Sequence, residues 1–211
     1  MRAKRTRARL LMGLVFVFSF GIAGYALVTY SMWPLGSRVH PEMQAAFEAN
    51  RLIVYTHIFA SAVALLLGPF QFLKRFRRQR PDLHRWLGRV YLTVGILLGG
   101  LAGLAMSTFA FGGLLSQTGF AGLALAWLFT GRQAFATIRR GDIAGHRRWM
   151  IRNFAVTLAG VTIRLYLPIG TLIGVPFEQW YPPLAWLCWV PNLSLVEWWL
   201  RRPKRQALAT A

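Results

Sequence analysis

Two histidines, His84 and His146, are the residues whose type and position suggest chemistry most directly. Each follows a basic loop and stands at the start of a predicted apolar helix, so both imidazoles are expected at one depth. Such a pair could ligate a haem iron axially, share a metal ion or bind a quinone head group. Arg85 and Arg147 follow directly and would hold anions such as haem propionates or lipid phosphates. The alternative is that both histidines hydrogen-bond only backbone or lipid at the membrane boundary.

A second set of candidates consists of polar side chains inside predicted membrane spans, where an ionisable group needs a partner or a ligand. Arg164 could hydrogen-bond Asn192, or it could bind a propionate or a carboxylate substrate. His57 lies near the outer end of its span and could serve a second site there with His40, or hydrogen-bond a neighbouring helix. Gln71 lies where the same span approaches a basic loop. These residues therefore mark either helix–helix contacts or a polar pocket.

The elements that must position these residues are long apolar runs. Of the 211 residues, 55% are hydrophobic and 15% are charged, whereas a soluble domain carries about 25% charged residues. Runs of about twenty apolar residues span a bilayer as helices, because a backbone in lipid must satisfy its own hydrogen bonds. The sequence therefore predicts an all-α, polytopic membrane helical bundle that forms a single domain over residues 1–211. The predicted spans are 10–33, 52–73, 86–111, 114–136, 149–174 and 184–200, with a short surface helix over 41–51.

The first predicted span follows a basic stretch, as the apolar region of a signal peptide does. Its apolar run is longer than that of a typical signal peptide, and no convincing small-residue cleavage site lies near its end. We therefore expect this segment to be retained as the first membrane helix.

The distribution of positive charge predicts the orientation in the membrane. Of the 25 lysines and arginines, all but Arg38, Arg51 and Arg164 lie in the N-terminal segment, two loops and the tail, which share one end of the predicted bundle. The positive-inside rule places that end, with both termini, in the cytoplasm of a bacterial cell whose inner membrane holds the protein. The charge is divided into short blocks, which favours anionic lipids at the cytoplasmic face over nucleic acid. A membrane protein partner or a second copy of the chain is a further expectation.

The two basic loops carry a candidate internal repeat. Residues 66–85 and 128–147 align without a gap at an offset of 62. Chance similarity between arginine-rich loops is the alternative, although the shared glutamine and His-Arg pair argue against it. A real repeat would make the second and third helices and the fourth and fifth helices parallel copies about an axis along the membrane normal. The identical positions are Leu66, Gln71, Arg77, Arg78, His84 and Arg85.

Short motifs from the second to the last predicted span carry a resemblance to a known family. They are His57, Leu67-Gly68-Pro69-Phe70-Gln71-Phe72, His84-Arg85-x-x-Gly88-Arg89-x-Tyr91, Arg140-Gly141-Asp142, His146-Arg147-Arg148-Trp149-Met150-Ile151-Arg152, Arg164 and Trp189-x-Pro191-Asn192. With these motifs the sequence resembles a bacterial family of predicted membrane proteins that is catalogued as a domain of unknown function. The resemblance implies a membrane protein and supplies no activity. Histidines on a small helical bundle also look like those of haem-b membrane cytochromes, but no single span here carries the widely spaced histidine pair of diheme cytochromes.

Two functions are compatible with these residues. The first is a redox membrane protein that binds haem b or a quinone between His84 and His146. The second is a non-redox protein, namely a small transporter, a lipid-binding protein or an assembly factor, with a polar pocket lined by Arg164, Asn192 and His57. The sequence contains no nucleotide-binding loop, zinc-protease motif or serine-hydrolase motif that would favour a soluble enzyme class.

Overall fold

The structure is a computed structural model that describes residues 2–202, with side chains from Thr6 onward except that of Ala8. Lys204 and Arg205 of the basic tail lie outside the described residues. Across 2–202 all regular secondary structure is helical. The helices are α1 Arg2–Met32, α2 Pro41–Ala49, α3 Arg51–Gln71, α4 Lys74–Gln79, α5 Pro81–Ser107, α6 Gly113–Arg139, α7 Ile143–Leu172, α8 Phe177–Leu187 and α9 Val190–Arg201.

Five of these helices, α1, α3, α5, α6 and α7, are long and apolar enough to cross a membrane. Many of their large apolar side chains are exposed, among them Val17, Leu52 and Leu114, as lipid-facing residues of a bundle are. The predicted fold class, a helical membrane bundle, is confirmed. Helices α5 and α7 begin earlier than the predicted 86 and 149, because the helical backbone continues through the basic residues that precede each apolar run.

The sixth predicted span, 184–200, is divided in the structure. Helix α8 begins at Phe177 and ends at Leu187, and α9 begins at Val190. Pro191 lies in the first turn of α9 and has no N–H to continue the backbone bonding of α8. The side chain of Asn192 donates to the carbonyl oxygen of Cys188 at 3.0 Å, which satisfies a backbone group at the break.

Helices α8 and α9 together still cross the bundle. Near the start of α6, a Cβ placed on Gly119 would lie 2.7 Å from Ala185 of α8, which shows how closely the two backbones approach. Near the start of α7, Arg152 forms a salt bridge with Glu197 of α9. The helices α6 and α7 start at opposite ends of the bundle. Helix α8 therefore lies in the half where α6 starts, and α9 lies in the half where α7 starts.

One end of the bundle, which we call the basic end, consists of residues 72–85 and 137–148. Helix α1 begins at this end, since Phe16 and Phe20 contact Phe70 near the end of α3. Helix α9 ends there. The other end, which we call the opposite end, contains α2 and the connections between α5 and α6 and between α7 and α8. Both described termini therefore lie at the basic end.

Equivalent positions of the candidate repeat lie close together. Tyr91 and Asn153 are separated by the offset of 62, and the Tyr91 hydroxyl donates to Asn153 Oδ1 at 2.7 Å. His84 and His146, at the same offset, both lie in the first turns of helices that start at the basic end. Two parallel helical hairpins related by a common axis would place residues at this offset in equivalent positions. The copies differ at their loops: α3 contains Pro69 and ends at Gln71, whereas α6 continues to Arg139.

Candidate functional site

A cavity of about 850 Å³ lies between the helices in the half of the bundle toward the opposite end. Its walls come from α1, α3, α5, α6, α7 and α8, and residues of α2 lie over it. The walls are mainly apolar, and the volume falls within the range of about 300–1,000 Å³ that is usual for small-molecule sites. Polar side chains with the capacity to bind a ligand nevertheless line it, among them Tyr30, Arg38, His40, Glu42, His57, Ser61, Arg164 and Tyr181.

Arg164 provides a positive charge among the membrane-spanning helices that line the cavity, and Arg38, in the connection before α2, provides another. Its Nη1 donates to the carbonyl oxygen of Gly160 at 2.8 Å, the one hydrogen bond of this guanidinium within residues 2–202. No carboxylate in that range lies within ion-pair distance of it. The side chain is surrounded by protein yet keeps accessible surface, because it faces the cavity. A guanidinium has five N–H donors, so most remain available to a ligand.

The hydrogen bond between Arg164 and Asn192 that the sequence offered as one possibility is not formed. Asn192 Nδ2 donates instead to Thr162 Oγ1 at 2.9 Å and to two backbone carbonyl oxygens. Asn192 does not line the cavity. The break between α8 and α9 turns this amide toward nearby carbonyls, so its role is to join α9 to α7.

His57 provides a hydrogen-bond acceptor in the same cavity. Its Nδ1 lies 2.9 Å from the carbonyl oxygen of Gly99. Because a carbonyl oxygen can only accept, the neutral imidazole carries its proton on Nδ1 and has a lone pair on Nε2. Nε2 has no hydrogen bond to any described residue, and the ring lines the cavity. His57 and Arg164 line the same cavity, so one ligand can contact both.

A departure from regular α-helix positions the partner of His57. Residues Tyr91–Leu98 of α5 form a π-helical segment, a feature often found at functional sites, and Gly99 follows it directly. Gly103 then leaves room for the ring, since a Cβ there would lie 2.9 Å from His57 Nδ1. The imidazole is therefore held against α5 by a carbonyl on one turn and a glycine on the next.

A buried hydrogen-bond network forms the floor of the cavity. Thr157 and Trp127 line the cavity, and Trp127 Nε1 donates to Thr157 Oγ1 at 2.8 Å. Tyr91 bonds Asn153 and lies 3.1 Å from Thr157 Oγ1, while Asn153 Nδ2 donates to the Trp127 carbonyl and to Thr130. Every one of these groups has a partner, so the network fixes the relative positions of α5, α6 and α7.

His40 lies at the mouth of the cavity. Its Nε2 is 3.5 Å from Glu178 of α8, and its ring stacks on Phe177 with centroids 4.3 Å apart. Met43 and Phe47 of α2 add apolar surface beside it. The structure thus brings His40, His57 and Arg164 to one cavity.

The family comparison adds to this geometry. Residues 54–200 match the model of a family described as "Predicted membrane protein (DUF2306)". The chain belongs to this family. No curated protein and no solved structure matches it. The matched region runs from α3 into α9 and includes His57 and Arg164, whereas α1 and α2 precede it.

In this DUF2306 member, the sequence-predicted histidine pair lies at the basic end, away from the cavity. His146 Nδ1 donates to the Ala134 carbonyl oxygen at 2.8 Å. His84 Nδ1 and Gln71 Nε2 are both enclosed, and neither has a hydrogen-bond partner among the described residues. The residue Gln71 is only 7% exposed. Gln71 reaches Gly88, one turn after His84. None of these histidine and glutamine side chains lines the cavity.

Few other side chains near His84 and His146 could bind a metal ion or the acidic groups of a haem. The described part of the chain has no group of three or more His, Cys, Asp or Glu side chains placed to hold a metal ion. Arg85 pairs with Asp82 at the surface, and Arg147 is exposed. A haem or metal between His84 and His146, with these arginines as anion ligands, stays a prediction.

Sequence reasoning missed most of the residues around the charged groups. Tyr91 and Asn153 lie in two different predicted spans, and neither residue by itself indicates that the two meet. Tyr30 and Tyr181 lie in apolar runs, where a tyrosine reads as an interface residue. The one usable signal is the repeat offset, which makes Tyr91 and Asn153 equivalent positions.

Proposed function

We propose that this membrane protein binds a lipophilic small molecule with an anionic head group in the cavity between its helices, as a non-redox carrier or lipid-binding protein. The observation that carries the proposal is Arg164, a cation that faces a largely apolar cavity with no carboxylate partner in residues 2–202. A charge in a membrane protein is costly unless it is paired, and an anionic ligand would supply the pair.

The rest of the cavity supports an amphipathic ligand. Leu65, Phe120 and Leu167 are among the apolar side chains that line it, and they suit a hydrocarbon chain. The polar side chains are a minority of the lining and include both His57 and Arg164. This combination of a mainly apolar wall with a small number of polar groups is typical of sites that orient a lipophilic ligand.

The surroundings in the cell belong to the same proposal. The basic end faces the cytoplasm of a bacterial cell, where its arginines contact anionic lipid head groups. The cavity then lies in the half of the bundle toward the outer side of the inner membrane. A ligand held there would be exchanged with the outer leaflet or with a membrane partner.

Extraction of the purified protein tests the proposal. Protein purified in mild detergent would be treated with organic solvent, and the released molecules identified by mass spectrometry. We expect an anionic lipophile with the wild-type protein and its loss from Arg164→Gln, because the neutral amide cannot balance the charge of the ligand. Arg51→Gln is the matched control, since Arg51 is exposed at the opposite end and does not line the cavity. Retention of the same molecule by Arg164→Gln contradicts the proposal.

One observation favours the redox function as a second candidate. His146 donates its Nδ1 proton to a backbone carbonyl, which is the usual second interaction of a metal-bound histidine and leaves Nε2 for the metal. An absorbance spectrum of protein expressed with ample haem, before and after reduction, tests it. A Soret band that disappears in both His84→Ala and His146→Ala supports haem ligation, and a featureless spectrum rejects it.

A further inference from the structure

The hydrogen-bonding capacity of Arg164 restricts the head group first. Arginine is a donor only and keeps its charge. One donor is directed to Gly160, and no carboxylate of residues 2–202 lies within ion-pair distance of the guanidinium. Glu42 lines the cavity but does not pair with Arg164. The part of the ligand beside Arg164 must therefore carry acceptor oxygens and a negative charge.

His57 requires a hydrogen-bond donor from the ligand, whereas Arg164 requires acceptors. Its Nδ1 proton is committed to the Gly99 carbonyl, so the neutral ring presents only the lone pair of Nε2 to the cavity. A lone pair in a site with little water needs a donor, because an unsatisfied polar atom loses the free energy of hydration. The part of the ligand beside His57 must therefore carry an O–H or N–H group.

From these two requirements we infer that the head group is an oxyacid with one negative charge and one remaining hydroxyl, of which the singly charged form of a phosphate monoester on an alkyl chain is the simplest example. This inference rests on the proposed function, since it assumes that the cavity holds a ligand. Its P–O⁻ oxygens accept from Arg164, and its P–OH donates to His57 Nε2. Carboxylates, phosphodiesters and quinones offer acceptors alone and leave Nε2 unsatisfied.

Other side chains of the cavity are compatible with several phosphate oxygens. Tyr30 and Tyr181 also line it, and each carries a hydroxyl group that can donate or accept a hydrogen bond. Ser61 Oγ, also part of the wall, is enclosed and has no hydrogen-bond partner within residues 2–202. The apolar walls favour an alkyl phosphate over free inorganic phosphate, which has no chain to bury there.

A matched pair of ligands tests the inference. Purified protein would bind radiolabelled hexadecyl phosphate in mild detergent, in competition with unlabelled hexadecyl phosphate, its methyl diester or inorganic phosphate. The buffer would be at about pH 5.5, where the singly charged phosphate predominates because its second pKa is about 6. The two lipids share chain and negative charge, and only the monoester has a P–OH group.

We expect the wild-type protein to bind the monoester roughly tenfold more tightly than the diester, the effect of one hydrogen bond in a dry site. His57→Phe should bind both lipids equally, since it keeps a ring and loses the acceptor. His57→Gln, which keeps an acceptor oxygen, should retain part of the preference and serves if His57→Phe does not fold. His146→Phe is the matched control at the basic end and should behave as the wild type.

The outcomes separate this inference from the proposed function. Equal binding of both lipids by the wild type, together with loss of both in Arg164→Gln, overturns the inference and leaves the proposed function standing. Undiminished binding of both lipids by Arg164→Gln overturns the proposed function, and the inference with it. Inorganic phosphate that competes as well as hexadecyl phosphate overturns the assignment of an alkyl chain.

Discussion

At the scale of single residues, two kinds of buried polar group have different roles in this protein. Arg164 and His57 keep unused hydrogen-bonding capacity that faces a cavity. Tyr91, Asn153 and Thr157 use theirs on one another. Satisfied buried groups stabilise a unique packing, whereas unsatisfied groups beside a cavity indicate a ligand. Sequence alone could identify Arg164 and His57 as costly in a membrane, but it could not separate these two roles.

The buried network leads to a prediction about stability. Asn153 is fully buried and bonds groups on two other helices, so Asn153→Ala should lower the free energy of unfolding by about 1–3 kcal/mol. Tyr91→Phe, which removes one hydroxyl, should lower it by about 0.5–1.5 kcal/mol. Thermal or denaturant unfolding in detergent measures both. Tyr55→Phe is the control without a hydrogen bond to remove, and an equal loss in Tyr55→Phe and Tyr91→Phe would refute this account.

At the scale of helices, close approach depends on glycine. A Cβ on Gly68 of α3 would lie 2.2 Å from the Phe154 ring of α7, too close without movement of the helix or the ring. Hydropathy identified the five helices α1, α3, α5, α6 and α7, because each is long and apolar. It could not reveal the break between α8 and α9, since the apolar run continues through it and Pro191 is compatible with either a kink or a new helix.

Substitution of Gly68 tests this packing. Gly68→Ala should destabilise the protein by about 1–3 kcal/mol, because the added methyl group overpacks the contact with Phe154. Gly13→Ala is the matched control, as nothing lies within 4 Å of a Cβ at Gly13 and alanine favours the helix. Melting temperatures of the two variants compare them. If Gly68→Ala melts no lower than Gly13→Ala, the two helices are not packed this closely.

At the scale of the whole molecule, the basic loops lie in one half of the bundle and the cavity lies in the other half. The sequence was sufficient to predict that the basic loops and the first and last described helical residues, Arg2 and Arg201, share one end. It was not sufficient to predict the cavity, because the rotation of each helix about its axis decides which residues face inward. His40, which directly precedes α2, and His57 of α3, for example, line the same cavity although they belong to different parts of the chain.

Cysteine labelling tests the orientation. In a Cys188→Ser background, Ser37→Cys at the opposite end should react with a membrane-impermeant maleimide on intact cells, and Gln79→Cys at the basic end should not. Both positions are exposed, and Cys188 is the only native cysteine. The positive-inside rule is the physical reason, because the basic loops remain in the cytoplasm. The reverse labelling pattern would place the cavity toward the cytoplasm.

The most direct measurement of the central claim is native mass spectrometry of the intact protein released from nanodiscs. The account predicts a wild-type mass that includes one bound small molecule, whose mass is lost from Arg164→Gln and kept by Arg51→Gln. The bare protein mass for the wild type under gentle release, or the same bound mass in Arg164→Gln, would contradict the claim that Arg164 holds an anionic ligand in this cavity.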